Sequence, residues 1–167
     1  MSTVATNTYT STHSTTFVSD RMRLLLKILV SQYGLNPEKL VDAWHDWVDR
    51  GVKTWLESGH LKSIVIEFYM PGSTNACARW DFPISYTSSG FEEMWDDRKF
   101  FEAHFAKAAK PPENCDYRIV LTRVPGYPPV AGISDTTFRS TSGLTLHEAG
   151  TVIATPHMTA GARYYRK

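Results

Sequence analysis

Apolar residues recur at helical spacing in two stretches near the start of this chain, and then switch to alternation. Met22, Leu25, Leu26, Leu29 and Tyr33 form one stripe, which Leu24, Ile28 and Val30 widen. That pattern predicts a helix buried on more than one side. Ser19 is its expected cap, Asp20 suits its positive end and Gly34 its left-handed stop. A second helix is predicted between Asn36-Pro37 and Gly59, with Leu40, Trp44, Trp47, Val48, Val52, Trp55 and Leu56 on its inner face. Gly51 falls inside that stripe, at a cost of about 1 kcal/mol relative to Ala. It either permits a close backbone approach or marks a kink.

Alternation begins at Ile64, Ile66 and Phe68, with Val65, Glu67 and Tyr69 on the opposite face. Pro71 to Asn75 is a turn signal. The return strand places Ala78, Trp80, Phe82, Ile84 and Tyr86 on one side, so an antiparallel hairpin is predicted. Pro83 cannot donate to a ladder and puts that strand near an edge or bulge. A third helix is expected from Glu92 to Ala109. Its acids would be Glu92, Glu93, Asp96 and Asp97, and its inner side Phe101, His104, Phe105 and Ala108. A strand from Asp116 to Val124 follows. Before all of this, Tyr9, Ser11, His13, Thr15 and Phe17 read as one side of an extended edge strand or a solvated tail. The order of elements implies an α+β domain with helices on an antiparallel sheet.

The last quarter has a different composition. Between Val124 and Ala162 only Asp135, Arg139 and Glu148 are charged, while five glycines and four prolines interrupt any helical period. Gly150 to Thr155 and Ala162 to Arg166 are β-branched and aromatic, as strands are. This tail has no core of its own and is expected to become ordered by wrapping the preceding domain, a partner segment or both.

Composition then removes whole classes. At 167 residues the chain fits one domain. A net charge of +1 argues against a nucleic-acid binder. Cys77 and Cys115 stand alone and read as reduced thiols. The first nineteen residues carry no charge and hold eleven Ser or Thr, which suits neither a signal nor a transit peptide. No apolar run matches a membrane span. A soluble, cytoplasmic protein is expected.

Catalytic signatures are missing: no GxSxG, no GxxxxGK[ST], no GxGxxG. Glu57 and His60 have the spacing of a di-iron half-site, but Gly59 ends the helix between them and no second such motif exists. His104 reads as a hydrogen-bonded core histidine. His147-Glu148 and Asp135 form a triad only if the fold joins them. No enzyme activity, cofactor or metal is expected.

The chain resembles the bacterial HORMA domain, of the first family from anti-phage nucleotidyltransferase signalling operons (CBASS). The resemblance is carried by Phe17-Val-Ser-Asp-Arg-Met22, Trp55-Leu-Glu-Ser-Gly-His-Leu61, Ile64-Val-Ile-Glu-Phe68, Arg79-Trp-Asp-Phe-Pro-Ile84, Thr137-Thr-Phe-Arg-Ser-Thr141 and Gly150-Thr-Val-Ile-Ala-Thr-Pro156. It implies a single HORMA-like domain over 1–167: a flexible N-terminal segment over 1–16, a core over 17–124 and a C-terminal safety belt over 125–167. It further implies a binding switch that closes its belt around a partner's closure-motif peptide. Closed, it would bind and activate a cGAS-like (CD-NTase, DncV-like) nucleotidyltransferase. A AAA+ remodelling ATPase would reopen it through the N-terminal handle Ser2, Thr3, Val4, Ala5 and Thr6. A second HORMA protein is a further implied partner; nucleic acid and membrane are not. The peptide would add as a strand beside Tyr117, Arg118, Ile119, Val120, Leu121 and Thr122. The belt would act through Phe138, Arg139, Gly150, Val152, Ile153, Tyr164 and Tyr165, its strands pairing with the edge near Ala76 to Tyr86. The competing reading is a static α+β interaction module whose tail simply completes the sheet.

Overall fold

The computed structural model describes residues 3–86 and 93–167, with side chains from Thr12 onward. Ser2 and Glu92 lie outside the described residues, as do the side chains of Thr3, Val4, Ala5, Thr6, Tyr9 and Ser11. The chain opens with a long helix, α1 (Thr3–Gln32). The extended reading of residues 9–17 is therefore corrected to helix. The inner stripe continues backwards from Met22 through Ser19, Val18, Thr15 and Ser14, all fully or almost fully buried. Small hydroxyl side chains pack there at helical spacing, and extension of a helix already nucleated outweighs the strand preference of Thr. Ser19 consequently lies mid-helix and is no cap; its hydroxyl donates to Asp49 Oδ1 at 2.7 Å. Gly34 does make the left-handed stop, at φ 76°.

The second predicted helix is present as α2 (Glu38–Ala43), a π turn (Trp44–Val48) and α3 (Asp49–Ser58). Asn36 Oδ1 accepts the Glu38 N–H at 2.9 Å, and Gly59 closes the helix at φ 75°. The hairpin is β1 (Leu61–Tyr69) and β2 (Ala76–Ser85), and β4 (Asp116–Arg123) pairs with the far side of β1.

The third helix is shorter than expected. Trp95–Asp96 forms a two-residue strand, β3, before α4 (Phe100–His104) and a 3-10 turn (Phe105–Lys107). Asp96 is not dipole decoration: it pairs with Arg21 at 3.4 Å and Arg98 at 3.1 Å. Asp97 instead accepts the Lys99 N–H at 3.1 Å, ahead of the shortened helix. Local capping and ion pairing thus explain the acids better than a helical first turn does.

The tail forms β5 (Thr145–Ala154) and β6 (Thr159–Arg166), an antiparallel hairpin that joins β2. The sheet order is β3-β5-β6-β2-β1-β4. Trp80, Phe68, Phe82, Tyr164, Val152 and Ile153 share one core with α1, α3 and α4. Pro83 is thus interior rather than at an edge, but the β2–β6 ladder lapses there, between the pairs Asp81↔Arg163 and Ile84↔Ala160. Pro83 has no N–H to give. A Cβ at Gly161 would touch its ring at 3.5 Å, so the two strands meet closely without bonding.

Candidate functional site

β4 ends the sheet, and its outer edge carries no strand among the described residues. An unpaired edge is a template for another strand unless something covers it. Residues 124–144 cover it as a strap. The strap leaves β4 with Arg123 lying over the rings of Tyr127 and Trp55, 4.1 and 4.6 Å from their centroids. It then runs back along α3: Trp55 Nε1 donates to the Pro128 carbonyl at 2.7 Å, and Arg50 Nη2 to the Ala131 carbonyl at 3.2 Å. Gly51 accepts the Ile133 side chain against bare backbone, so its role is close approach and not a kink.

Beyond Ile133 the strap crosses to the opposite face of the sheet. Arg118 Nη2 donates to the Thr137 carbonyl at 2.7 Å, the Arg139 N–H to Glu67 Oε2 at 2.8 Å, and the Ala76 N–H to the Ser140 carbonyl at 2.8 Å. Glu67 is the anchor. Its carboxylate is fully buried, receives Arg118 Nε at 2.6 Å and lies 3.6 Å from Arg139 Nη1. The Arg139 guanidinium also lies over the Tyr69 ring, 3.4 Å from its centroid. A buried carboxylate is tolerated only with such pairing. The strap also explains why β1 is buried on both faces, Glu67 included.

Between the β4 edge and the crossing strap lies a cavity of ≈ 270 Å³, lined by Trp47, Arg118, Ile119, Val120, Leu121, Gly132, Ile133, Ser134 and Thr136. Of the six β4 residues expected to meet a peptide, Arg118, Ile119, Val120 and Leu121 line this channel. Tyr117 does not: its hydroxyl donates to the Asn36 carbonyl at 2.7 Å and accepts the Leu40 N–H at 3.1 Å, which ties β4 to α2. Thr122 bonds Ser63 on β1. Among the expected belt residues, Val152, Ile153 and Tyr164 are fully buried core. Gly150 sits at a shift in the β5–β6 register. Phe138 and Tyr165 both pack on the Arg79 guanidinium, at 4.0 and 5.2 Å.

Charged groups on β2 and at the start of β4 are also settled by pairing. Burial works against the charge of Arg79, yet its bonds to Asp81 at 2.7 and 2.9 Å raise its pKa. Burial likewise opposes the Asp116 carboxylate, but the bonds from Lys39 and the Tyr117 N–H prevail and hold it below its usual range. Burial pushes the Cys115 thiol up to about 11, which leaves little thiolate at neutral pH.

The residues weighed for catalysis are not assembled. Asp135 pairs with Arg123 and Glu148 with Arg163, so neither forms a triad with His147. His104 stacks on Phe100 at 4.6 Å between centroids and reaches the Tyr164 hydroxyl at 3.5 Å, and burial lowers its pKa. His60 Nδ1 meets Ser58 at 2.9 Å. Among the described residues no three metal-binding side chains converge.

A sheet with helices on one face, whose C-terminal hairpin returns past an edge channel to join the far strands, is the HORMA architecture. The family model of bacterial HORMA domain 2 matches residues 1–167, and the chain belongs to that family; the numbered subfamily is the second, not the first. Solved structures show the same fold at low identity. A chain in the mitotic checkpoint complex is 11% identical at a TM-score of 0.71, with 92% of this chain and 98% of that one covered. The E. coli MS115-1 HORMA:CdnC:Trip13 complex has a chain 11% identical at 0.58, covering 95% and 90%. C. elegans HTP-1 bound to the HIM-3 closure motif is 12% identical at 0.56, covering 77% and 70%. No curated protein matches. No described helix is long and apolar enough to cross a membrane.

Proposed function

We propose that this chain is a peptide-clasping adaptor switch of a bacterial anti-phage signalling system, working in the cytoplasm. A closure-motif peptide from a partner pairs with the outer edge of β4 through its main chain, beneath the strap. The loaded, closed domain binds and activates a cGAS-like nucleotidyltransferase. A AAA+ ATPase reopens it by drawing on Ser2, Thr3, Val4, Ala5 and Thr6. The observation that carries this reading is the unpaired β4 edge roofed by residues 132–136. Main-chain pairing there supplies affinity and the channel walls supply selection. The partners named for the structural relatives support the pathway: a closure motif on HTP-1, and CdnC with Trip13 in the E. coli complex. The function is binding and conformational change, not catalysis.

The test is co-purification from the native cells of the intact protein and of Thr136→Trp, which fills the channel from an exposed position. Recovery of a nucleotidyltransferase with the intact protein and its loss with the variant is expected. Equal recovery with both would remove the channel from recognition.

The static module remains a second reading, favoured by the way the β5–β6 hairpin joins β2 and completes the sheet. It expects identical amide protection of residues 151–166 with and without partner.

A further inference from the structure

The strap's hold on α3 depends on a fit between one knob and one missing side chain. A Cβ placed on Gly51 would stand 2.6 Å from Ile133 Cδ1, 2.8 Å from Leu121 Cδ1 and 3.2 Å from the Trp55 ring. Real Cβ atoms do not approach other heavy atoms that closely. Gly51 is buried in the first turn of α3, inside the helical run that α2 and the π turn begin, where Ala would favour the helix by about 1 kcal/mol. The helix has no turn or left-handed φ there that calls for glycine. Space for Ile133 is the demand that the geometry shows.

We infer that Ile133 and Gly51 form a volume-matched pin that seats the strap, and that they act as positioning residues setting the height of the channel. Ile133 is itself a channel wall, facing Trp47, Ile119 and Leu121. A methyl group at residue 51 pushes on the tip of the Ile133 side chain, and the part of that clash which a rotamer change does not absorb raises residues 132–136 from the β4 edge. A shortened knob leaves the middle of the strap to its hydrogen bonds, at Pro128 and Ala131 before the crossing and at Thr137, Arg139 and Ser140 after it, with Tyr127, Val130 and Leu144 still packed toward its two ends. Its part in holding a peptide rests on the function proposed above; its part in seating the strap does not.

The decisive comparison is a double-mutant cycle in the full-length protein, read by amide exchange over residues 127–140. Ile133→Ala should raise exchange there about tenfold and leave the β1–β2 hairpin unchanged. Gly51→Ala should raise it in the parent. In the Ile133→Ala background the same change should raise exchange far less, because the 2.6 Å clash is gone and only that with Leu121 Cδ1 at 2.8 Å remains to offset the gain in helix propensity. Exchange unaltered by Ile133→Ala would overturn the pin, as would an equal Gly51→Ala effect in both backgrounds. Should Gly51→Ala fail to fold alone, the Ile133→Ala measurement decides by itself. If the strap responds but no peptide ever occupies the channel, the proposed function fails and the pin stands. If peptide binds while the strap ignores these changes, the pin fails alone.

Discussion

Residues 124–144 and residues 145–166 belong to one tail but are held in different ways. The hairpin β5–β6 is a ladder on a core: Val152, Ile153, Ala154, Ala160 and Tyr164 are fully buried. The strap packs only four partly buried apolar residues against the core, Tyr127, Val130, Ile133 and Leu144, and adds a set of side-chain bonds to main chain, most of them reaching across more than sixty positions of sequence. Burial over a broad surface is not easily undone in parts, whereas separate polar anchors can release in turn. In the proposed switch, the strap is where opening would begin, and the hairpin is where the closed arrangement would be made stable. Even the hairpin's seam with β2 is imperfect. It lapses at Pro83, opposite Gly161, while β1 and β2 pair without a break from Ser63 to Phe68.

The largest effect that would sharpen this contrast comes from Glu67. Glu67→Ala leaves Arg118 and Arg139 without their buried partner, at an expected cost of about 3–5 kcal/mol in urea denaturation. Exchange should rise first at residues 137–140. A loss spread evenly through β5–β6 would break the distinction. Next is Trp55→Phe, which removes the donor to Pro128 and part of the platform under Arg123. It should cost about 2 kcal/mol, concentrated in residues 124–131.

The third prediction concerns acid. Asp116 has a carboxyl held below its ordinary range, so it stabilises the fold above the unfolded pKa of about 3.9. That contribution is lost as pH falls through the lower folded value. Asp116→Asn should flatten this acid limb at the β4–α2 junction and leave strap exchange alone. The smallest effect belongs to Asp135→Asn. Asp135 is largely exposed and its partner Arg123 is already held by two rings, so stability should change by no more than about 0.5 kcal/mol.

Much of the architecture was legible in the sequence where one physical signal dominated. The α2–α3 stripe between Asn36 and Gly59, the β1–β2 hairpin and the strands around Val152 and Tyr164 all came from periodicity and turn chemistry. Misreadings arose where tertiary packing overrode local preference. Ser14 and Thr15 look like strand or solvent residues but fill the space beside the core as part of α1. Asp96 and Asp97 suggested a helix start; Asp96 instead serves Arg21 and Arg98, and Asp97 accepts the Lys99 N–H. At the candidate site, Arg118 to Leu121 could be named from the β4 edge. Trp47, Ile133 and Thr136 could not, because they reach the channel through the path of an irregular strap. Glu67 gave a partial signal, as the single acid in the run Ile64 to Phe68, but alternation fixed only its face and not its partners. Gly51 was the better clue: a glycine inside an apolar helical stripe asks what comes close to it.

The most direct test of the clasp is to select binders from a random-peptide display library on the intact protein, then to map amide exchange with the best one bound. The account predicts new protection in β4 at residues 117–122 and in the strap at 132–137, with a further gain over residues 151–166 as the bound peptide favours the closed arrangement. Peptides that protect any other surface, or binding that leaves the β4 edge exchanging as before, would contradict it.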